Sequence, residues 1–269
     1  MGIDHTDDDK WRQRPISLVE MKSVIEGWQL GLAGRAWNSN YFMNHDQPRS
    51  VSRFGDDGAY RSESAKALLL LNLSLCGTPY IYQGEELGMA NVAFPSIKDY
   101  RDLDTLNYHK EALAAGAGEA EVMASIHYMS RDNARTPMQW SAGKNAGFTQ
   151  GEPWIGLNPD YRTVNVEAEE ADPASVLHFT RSLTKFRKAH PCLVYGSFEL
   201  LAREDPRLFA FIREGEGERL LVEVNFSGQA TAGVAAGKSP RLIFSNGGAG
   251  GGSTPAMLGP WEARISALN

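Results

Sequence analysis

The 269-residue chain holds 42% hydrophobic side chains and sets 27 Lys and Arg against 33 Asp and Glu, for a formal net charge of −6. This composition allows a sizeable buried core, as one large domain or two smaller ones, and its acidic balance argues against nucleic acid or an anionic membrane as partner, since both call for a clustered basic surface. Two cysteines, Cys76 and Cys192, are too few for a disulfide framework, and their apolar surroundings favour buried, inert thiols.

In chain order, the first ten residues, Met1 to Lys10, are polar and acidic. They do not form a secretory signal, and no apolar run reaches the ~18 residues of a bilayer span, so a reduced, cytoplasmic location is expected. The aspartates there read as a solvated terminus rather than a metal site. Ser17 and Glu20 are spaced as a capping box, with Ile16 and Met21 placed as a hydrophobic staple. The spacing predicts a helix from Leu18, with Leu18, Met21, Val24, Ile25, Trp28 and Leu32 on one face and Gly31 and Gly34 ending it. The stretch from Trp37 to Arg49 frames everything that follows. Tyr41, Phe42 and Met43 read as a strand that stops at Asn44, His45 and Asp46, and Pro48 forbids simple continuation. In a (β/α)8 barrel the carboxyl ends of the strands build the active site, which makes these three residues site candidates. Alone, such a triplet is more often a turn.

A polar loop from Gln47 to Arg61 leads to an apolar helix, Ser62 to Leu75. Leu68 to Leu71 make it hydrophobic almost all round, as expected of a helix wedged between two layers. Gly77 reads as its C-cap and Pro79 to Tyr82 as a strand ending at Gln83-Gly84-Glu85-Glu86, so polar groups again follow a strand. From Ala90 to Val166 the periodicity weakens, with one Ala-rich helix over Ala112 to Ala124. So long a weakly patterned stretch in a compact domain is a functional loop or a small excursion. Asp172 and Pro173 offer an N-cap and N1 pair for a last amphipathic helix that ends near His190 and Pro191. The period then becomes that of strands: Tyr195 to Leu201, Leu208 to Arg213, Leu220 to Phe226, Leu242 to Phe244 and Trp261 to Ile265. The run from Gly247 to Gly252 precedes no helix and no Lys-Ser or Lys-Thr, so it reads as a hairpin loop and not a phosphate cradle.

Five blocks carry a family resemblance: NHDQPRSVSRFG from Asn44, GTPYIYQGEELGM from Gly77, RDNARTPMQW from Arg131, NAGFTQGEPW from Asn145 and NPDYRTVNV from Asn158. In this order they resemble glycoside hydrolase family 13, in its oligo-1,6-glucosidase and α-glucosidase branch, over nearly the whole chain. The resemblance implies the C-terminal part of a (β/α)8 barrel, with the long loop after its last strand, over residues 1–190. An antiparallel β-sandwich domain would follow over 191–269. It also implies that six further strand and helix units, bearing an aspartate nucleophile and a glutamate acid, precede this region in family members; neither motif stands in this sequence.

Asp46 falls where the family places its third carboxylate, a transition-state stabiliser, and His45, Asn44, Arg131 and Arg135 fall among substrate ligands. Arg131 would direct its fork at glucose hydroxyls or at Asp46; Arg135 could equally serve, or brace the loop. Arg49 and Arg53 line the aglycone side of the pocket on this reading, or else a solvated face. Adjacent strand-end side chains point to opposite sides, so Glu85 and Glu86 are expected in structural or rim positions. Trp140, Phe148 and Trp154 either face sugar rings or, the commoner fate, pack in the core.

The implied activity is retaining hydrolysis of α-1,6 or α-1,4 glucosidic bonds in short oligosaccharides. No cofactor is needed, and the calcium of some relatives involves the preceding half. Two alternatives stay open: a catalytically silent fragment, and transglycosylation or isomerisation of the trehalose synthase or sucrose isomerase type. The preceding barrel half is the expected partner. Two strands cut from a closed barrel also leave open edges, so self-association is expected.

Overall fold

A computed structural model describes residues 2–6, 9–235, 240–248 and 252–268. The chain opens with β1 (His5–Thr6) and β2 (Asp9–Gln13), an antiparallel pair, where a solvated terminus was expected. The pair is anchored because Asp4 is fully buried and ion-pairs with Arg53, which donates to both of its carboxylate oxygens. Asp7 and Asp8 lie outside the described residues. Helix α1 (Leu18–Leu32) starts as the capping box requires: the Ser17 hydroxyl accepts from the Glu20 amide at 3.3 Å. Its inner face holds Leu18, Met21 and Ile25 as expected, and also buries Lys22 and Gln29, while Trp28 turns outward at 58% exposure.

The strand expected through Met43 is only β3 (Ser39–Asn40), and the polar loop after it contains a short helix, α2 (Ser50–Phe54). The second strand is likewise short. Helix α3 (Arg61–Ser74) caps at Leu75 rather than Gly77, and β4 (Thr78–Pro79) pairs with β3 in parallel. Gly77 has another task. It takes φ 120° against β3, where an added Cβ would stand 2.5 Å from the Asn38 carbonyl. Leu68, Leu69, Leu70 and Leu71 on α3 are all essentially inaccessible, in a core shared with α1 and with the sheet described below. Each such side chain contributes roughly 1.5–3 kcal/mol.

The weakly patterned segment holds two helices, not one: α4 (Leu103–Ala114) and α5 (Glu119–Met129), followed by the single turn α6 (Asp132–Arg135). The helix expected over Ala112 to Ala124 straddles their junction, where Gly116 adopts φ 92°. A short helix α7 (Val166–Ala171) precedes α8 (Val176–Ala189), whose N-cap is Ser175, accepting from His178; Asp172 caps only a turn, through Ala174. Pro191 then begins α9 (Pro191–Tyr195).

The remaining strands are β5 (Ser197–Leu201), β6 (Leu208–Gly215), β7 (Glu218–Asn225), β8 (Thr231–Ala232), β9 (Arg241–Ser245), β10 (Met257–Leu258) and β11 (Ala263–Ala267). A five-stranded antiparallel sheet runs in the order β5-β6-β7-β11-β9, with β8 and β10 paired separately. The glycine loop lies only partly within the described residues.

Two buried cations, Lys22 and Arg213, join the helical layers to this sheet, and a third, Arg187, ties α8 to α3 and α9. Lys22 donates to the carbonyls of Ala202, Asp205 and Leu208 at 2.6, 2.7 and 3.1 Å. Arg187 holds the carbonyls of Leu73, Leu75, Gly77 and Leu193, and Arg213 those of Ser74, Leu193, Gly196 and Ser197. Cys192 is buried, which pushes its thiol up to about 11, whereas Cys76, expected to be buried, is half-exposed. Among the described residues no helix is long and apolar enough to cross a membrane.

Candidate active site

Beyond β3 the chain turns on Asn44. Its side-chain oxygen accepts from the Asp46 amide at 2.8 Å and its carbonyl from the Gln47 amide at 3.2 Å, a side-chain-closed turn that fixes Asp46 in the loop beyond β3. His45 and Asp46 project outward, their side chains 68% and 48% exposed, with His45 Nε2 3.3 Å from Asp46 Oδ2. Both remain open to a ligand.

The α5–α6 junction brings the arginines. Arg135 Nη2 donates to Asp46 Oδ1 at 2.8 Å and Arg135 Nε to the His45 carbonyl at 2.9 Å, so one guanidinium fixes both the carboxylate and the backbone beside it. Arg131 stands further back. Its Nε is 3.9 Å from Asp46 Oδ1, and its other nitrogens lie 3.8 Å from Asp102 Oδ1 and 3.7 Å from Asp104 Oδ2. Of the two candidates, Arg135 therefore makes the direct bond, and Arg131 faces three carboxylates at longer range.

Sequence reasoning missed the second row of the site. Buried Asp102 caps α4 through Thr105 and receives Arg135 Nη1 at 3.4 Å. Asp132 Oδ2 accepts the amides of Arg101 and Asp102 at 2.6 and 2.9 Å, which locks α4 to the turn that carries the arginines. Lys10 of β2 pairs with Asp104. The Asp102-Leu103-Asp104 run was legible as an N-cap; its place behind the arginines depends on folding across some thirty residues and left no local mark.

Arg49 and Arg53, expected on a pocket rim or a solvated face, are buried. Arg49 reaches from the Asp46 loop to the carbonyls of Gln83 and Asn133 at 2.6 and 3.1 Å, and burial lowers its pKa to about 10. Glu85 is buried beside it and accepts the Tyr82 amide, while Glu86 accepts the Gly84 amide, both structural uses. Burial pushes Glu85 up to about 7. Trp140, Phe148 and Trp154 are exposed rather than packed in the core.

A family model described as the alpha-amylase catalytic domain matches residues 1–196. The chain belongs to the alpha-amylase family. Within that family it is 47% identical over 272 aligned residues to the oligo-1,6-glucosidase of Parageobacillus thermoglucosidasius, covering 98% of this chain and 48% of the relative. It is 44% identical to the trehalose-6-phosphate hydrolase of Bacillus subtilis, over 86% of this chain and 42% of that protein. Among solved structures of the family, Bacillus licheniformis trehalose-6-phosphate hydrolase superposes with a TM-score of 0.93 at 36% identity, over 99% of this chain and 49% of its own. A variant isomaltulose synthase from Erwinia rhapontici, in complex with its natural substrate sucrose, gives 0.93 at 34% identity, over 100% and 49%. The chain spans about half the length of the alpha-amylase relatives it matches. Those neighbours are barrel enzymes, so the fold is that of the C-terminal part of an alpha-amylase barrel with its antiparallel sheet.

Proposed function

We propose that this chain is the Asp46-bearing part of a cytoplasmic, retaining α-glucosidase that hydrolyses α-1,6 or α-1,4 bonds in short oligosaccharides. Residues 1–190 belong to the barrel on this reading and 191–269 to the β domain. The observation that carries it is the Asp46 carboxylate, half-exposed in the loop beyond β3 and fixed by Arg135, in a chain 47% identical to an oligo-1,6-glucosidase. Retaining hydrolysis passes through an oxocarbenium-like transition state flanked by a nucleophilic carboxylate and a protonated acid about 5 Å apart. Those two groups are assigned to the barrel half that relatives carry upstream, the partner of this chain. Asp46 accepts hydrogen bonds from sugar hydroxyls, and its fixed negative charge favours the positive charge that develops at the anomeric carbon. His45 donates to hydroxyls of the same glucose, Asn44 sets the turn, and the two arginines orient Asp46 and the sugar.

A hydrolase is preferred over an isomerase because the curated relatives at 47% and 44% identity are both hydrolases; the structural superpositions, at 36% for a hydrolase and 34% for the isomaltulose synthase, do not separate the two. The test is turnover of an aryl α-glucoside. The purified chain alone is expected to be silent, and joined to the upstream half of the Parageobacillus relative it is expected to hydrolyse the substrate with retention. Asp46→Asn in the joined protein lowers kcat on the order of 10²–10³-fold. Robust turnover by the chain alone, or near-intact activity of the Asn variant, would overturn the assignment.

A further inference from the structure

We propose that Arg49 is a positioning residue of the active site, holding the Asp46 loop and the turn that carries Arg131 and Arg135 at the separation that lets Arg135 reach Asp46. The inference deepens the proposed function and rests on it for the reaction; the contacts are read from the structure. Arg49 stands three residues after Asp46, immediately before α2. It is fully buried, so it acts on a sugar only through the groups it holds.

Two ties lead from it to the same place. The Arg49 main-chain N–H donates to Asn91 Oδ1 at 2.8 Å, and the Asn91 amide donates in turn to the carbonyls of Tyr128 and His127, near the end of α5, at 3.0 and 3.2 Å. The Arg49 side chain sends Nε to the Asn133 carbonyl in α6 at 3.1 Å and Nη1 to the Gln83 carbonyl beyond β4 at 2.6 Å, with Nη2 3.5 Å from the Thr136 hydroxyl. Asn133 is fully buried and donates back to the His127 carbonyl at 3.0 Å. Both ties therefore end on residues 127–136, the stretch that includes Arg131 and Arg135. One guanidinium is the meeting point of the loop after β3, the loop after β4 and the α5–α6 junction.

The side-chain type matters. A planar fork fixes its acceptors relative to one another, whereas an ammonium on a flexible stem does not. The backbone is shaped to admit that fork: Gly84 takes φ 87°, and a Cβ there would stand 2.8 Å from Arg49 Nη1. Arg187 is built in the same manner, a buried guanidinium on main-chain carbonyls, but its acceptors are Leu73, Leu75, Gly77 and Leu193, none of them in the segments that bear Asp46 or the two arginines. It supplies a matched control.

The experiment compares Arg49→Lys with Arg187→Lys in the protein joined to the upstream half of the Parageobacillus relative, reading kcat and KM for an aryl α-glucoside, thermal stability, and amide exchange over residues 44–49. Both variants are expected to lose stability. Arg49→Lys alone lowers kcat about tenfold or more, with a smaller change in KM, because a small misplacement of a catalytic group is felt in the transition state. It alone also speeds exchange over residues 44–49. Adding Arg135→Lys to Arg49→Lys costs less than the product of the two separate losses, since both act on the placement of Asp46. Should Arg49→Lys not fold, Asn91→Ala, which removes the main-chain tie at a half-buried position, is read in its place with the same expectations. Equal kcat in the Arg49 and Arg187 variants, or losses that multiply with that of Arg135→Lys, would overturn the proposal. A joined protein without turnover overturns the proposed activity instead; exchange then decides, with faster exchange over residues 44–49 in the Arg49 variant alone upholding the positioning role and equal exchange in the two variants overturning it.

Discussion

The two guanidinium groups facing Asp46 differ by about one ångström in their distance from its carboxylate, and that difference has a chemical consequence. Arg135 makes a two-point contact, to Asp46 and to the His45 carbonyl, which lysine cannot reproduce because it lacks the planar fork. In the joined protein, Arg135→Lys is expected to cost roughly 10–100-fold in kcat/KM, the loss of a charge-assisted hydrogen bond of about 1.5–3 kcal/mol, and Arg131→Lys markedly less. Equal losses from the two would show that the distances carry no functional weight. Glu85 gives a pH prediction. Burial raises its pKa from 4.5 to about 7, so the folded chain holds this proton more tightly than the unfolded chain does. Stability is therefore favoured while Glu85 is protonated and declines as pH rises from about 4.5 through 7, by on the order of 3 kcal/mol. Glu85→Gln, which imitates the protonated acid, should flatten that decline in urea titrations at pH 5 and pH 8; parallel curves for the two proteins would refute the argument. The turn at Asn44 to Asp46 was foreshadowed by polar residues after the apolar run Tyr41 to Met43, although that run is not strand and β3 ends at Asn40. Asp4, Lys22, Arg49 and Arg53 were not, because a charge can be buried only beside partners that here lie far along the chain, and local pattern carries no trace of them.

At the level of elements, α1, α3 and the five principal strands of the sheet were readable from capping and periodicity, which are local properties. The failures have local causes too. Alanine content pointed to a helix across Gly116 to Gly118, but the left-handed turn at Gly116 outweighs propensity there. Strand propensity at Tyr41 to Met43 exceeded what the ladder uses, since parallel pairing extends only as far as a neighbour exists. Leu70→Ala on α3 is expected to cost about 2–5 kcal/mol, since the site lies in a core shared by both layers and cannot collapse. Lys22→Met should cost about 2–4 kcal/mol despite being more apolar, because it takes the ammonium donor from the carbonyls of Asp205 and Leu208 and one of two donors from that of Ala202. A neutral or stabilising Met variant in chemical denaturation would show that those carbonyls find other donors.

For the whole molecule, the open edge and the exposed aromatic residues around it predict concentration-dependent self-association of the isolated chain in light scattering, relieved by the upstream barrel half; a monodisperse monomer at all concentrations would contradict this. The net charge of −6 opposes association only weakly at physiological salt. The paired arginines at the junction have a different consequence. Arg187 and Arg213 share the Leu193 carbonyl and between them claim the last turn of α3, the middle of α9 and the first residue of β5. Severing the backbone near His190 would release neither piece as a tidy module, because the hydrogen bonds of Arg187 to Leu193, of Arg213 to Ser74 and all of those made by Lys22 cross the cut, as does the shared apolar core. Heat should accordingly melt barrel segment and sheet together, in one calorimetric peak, and a gene cut at that point should yield two insoluble products.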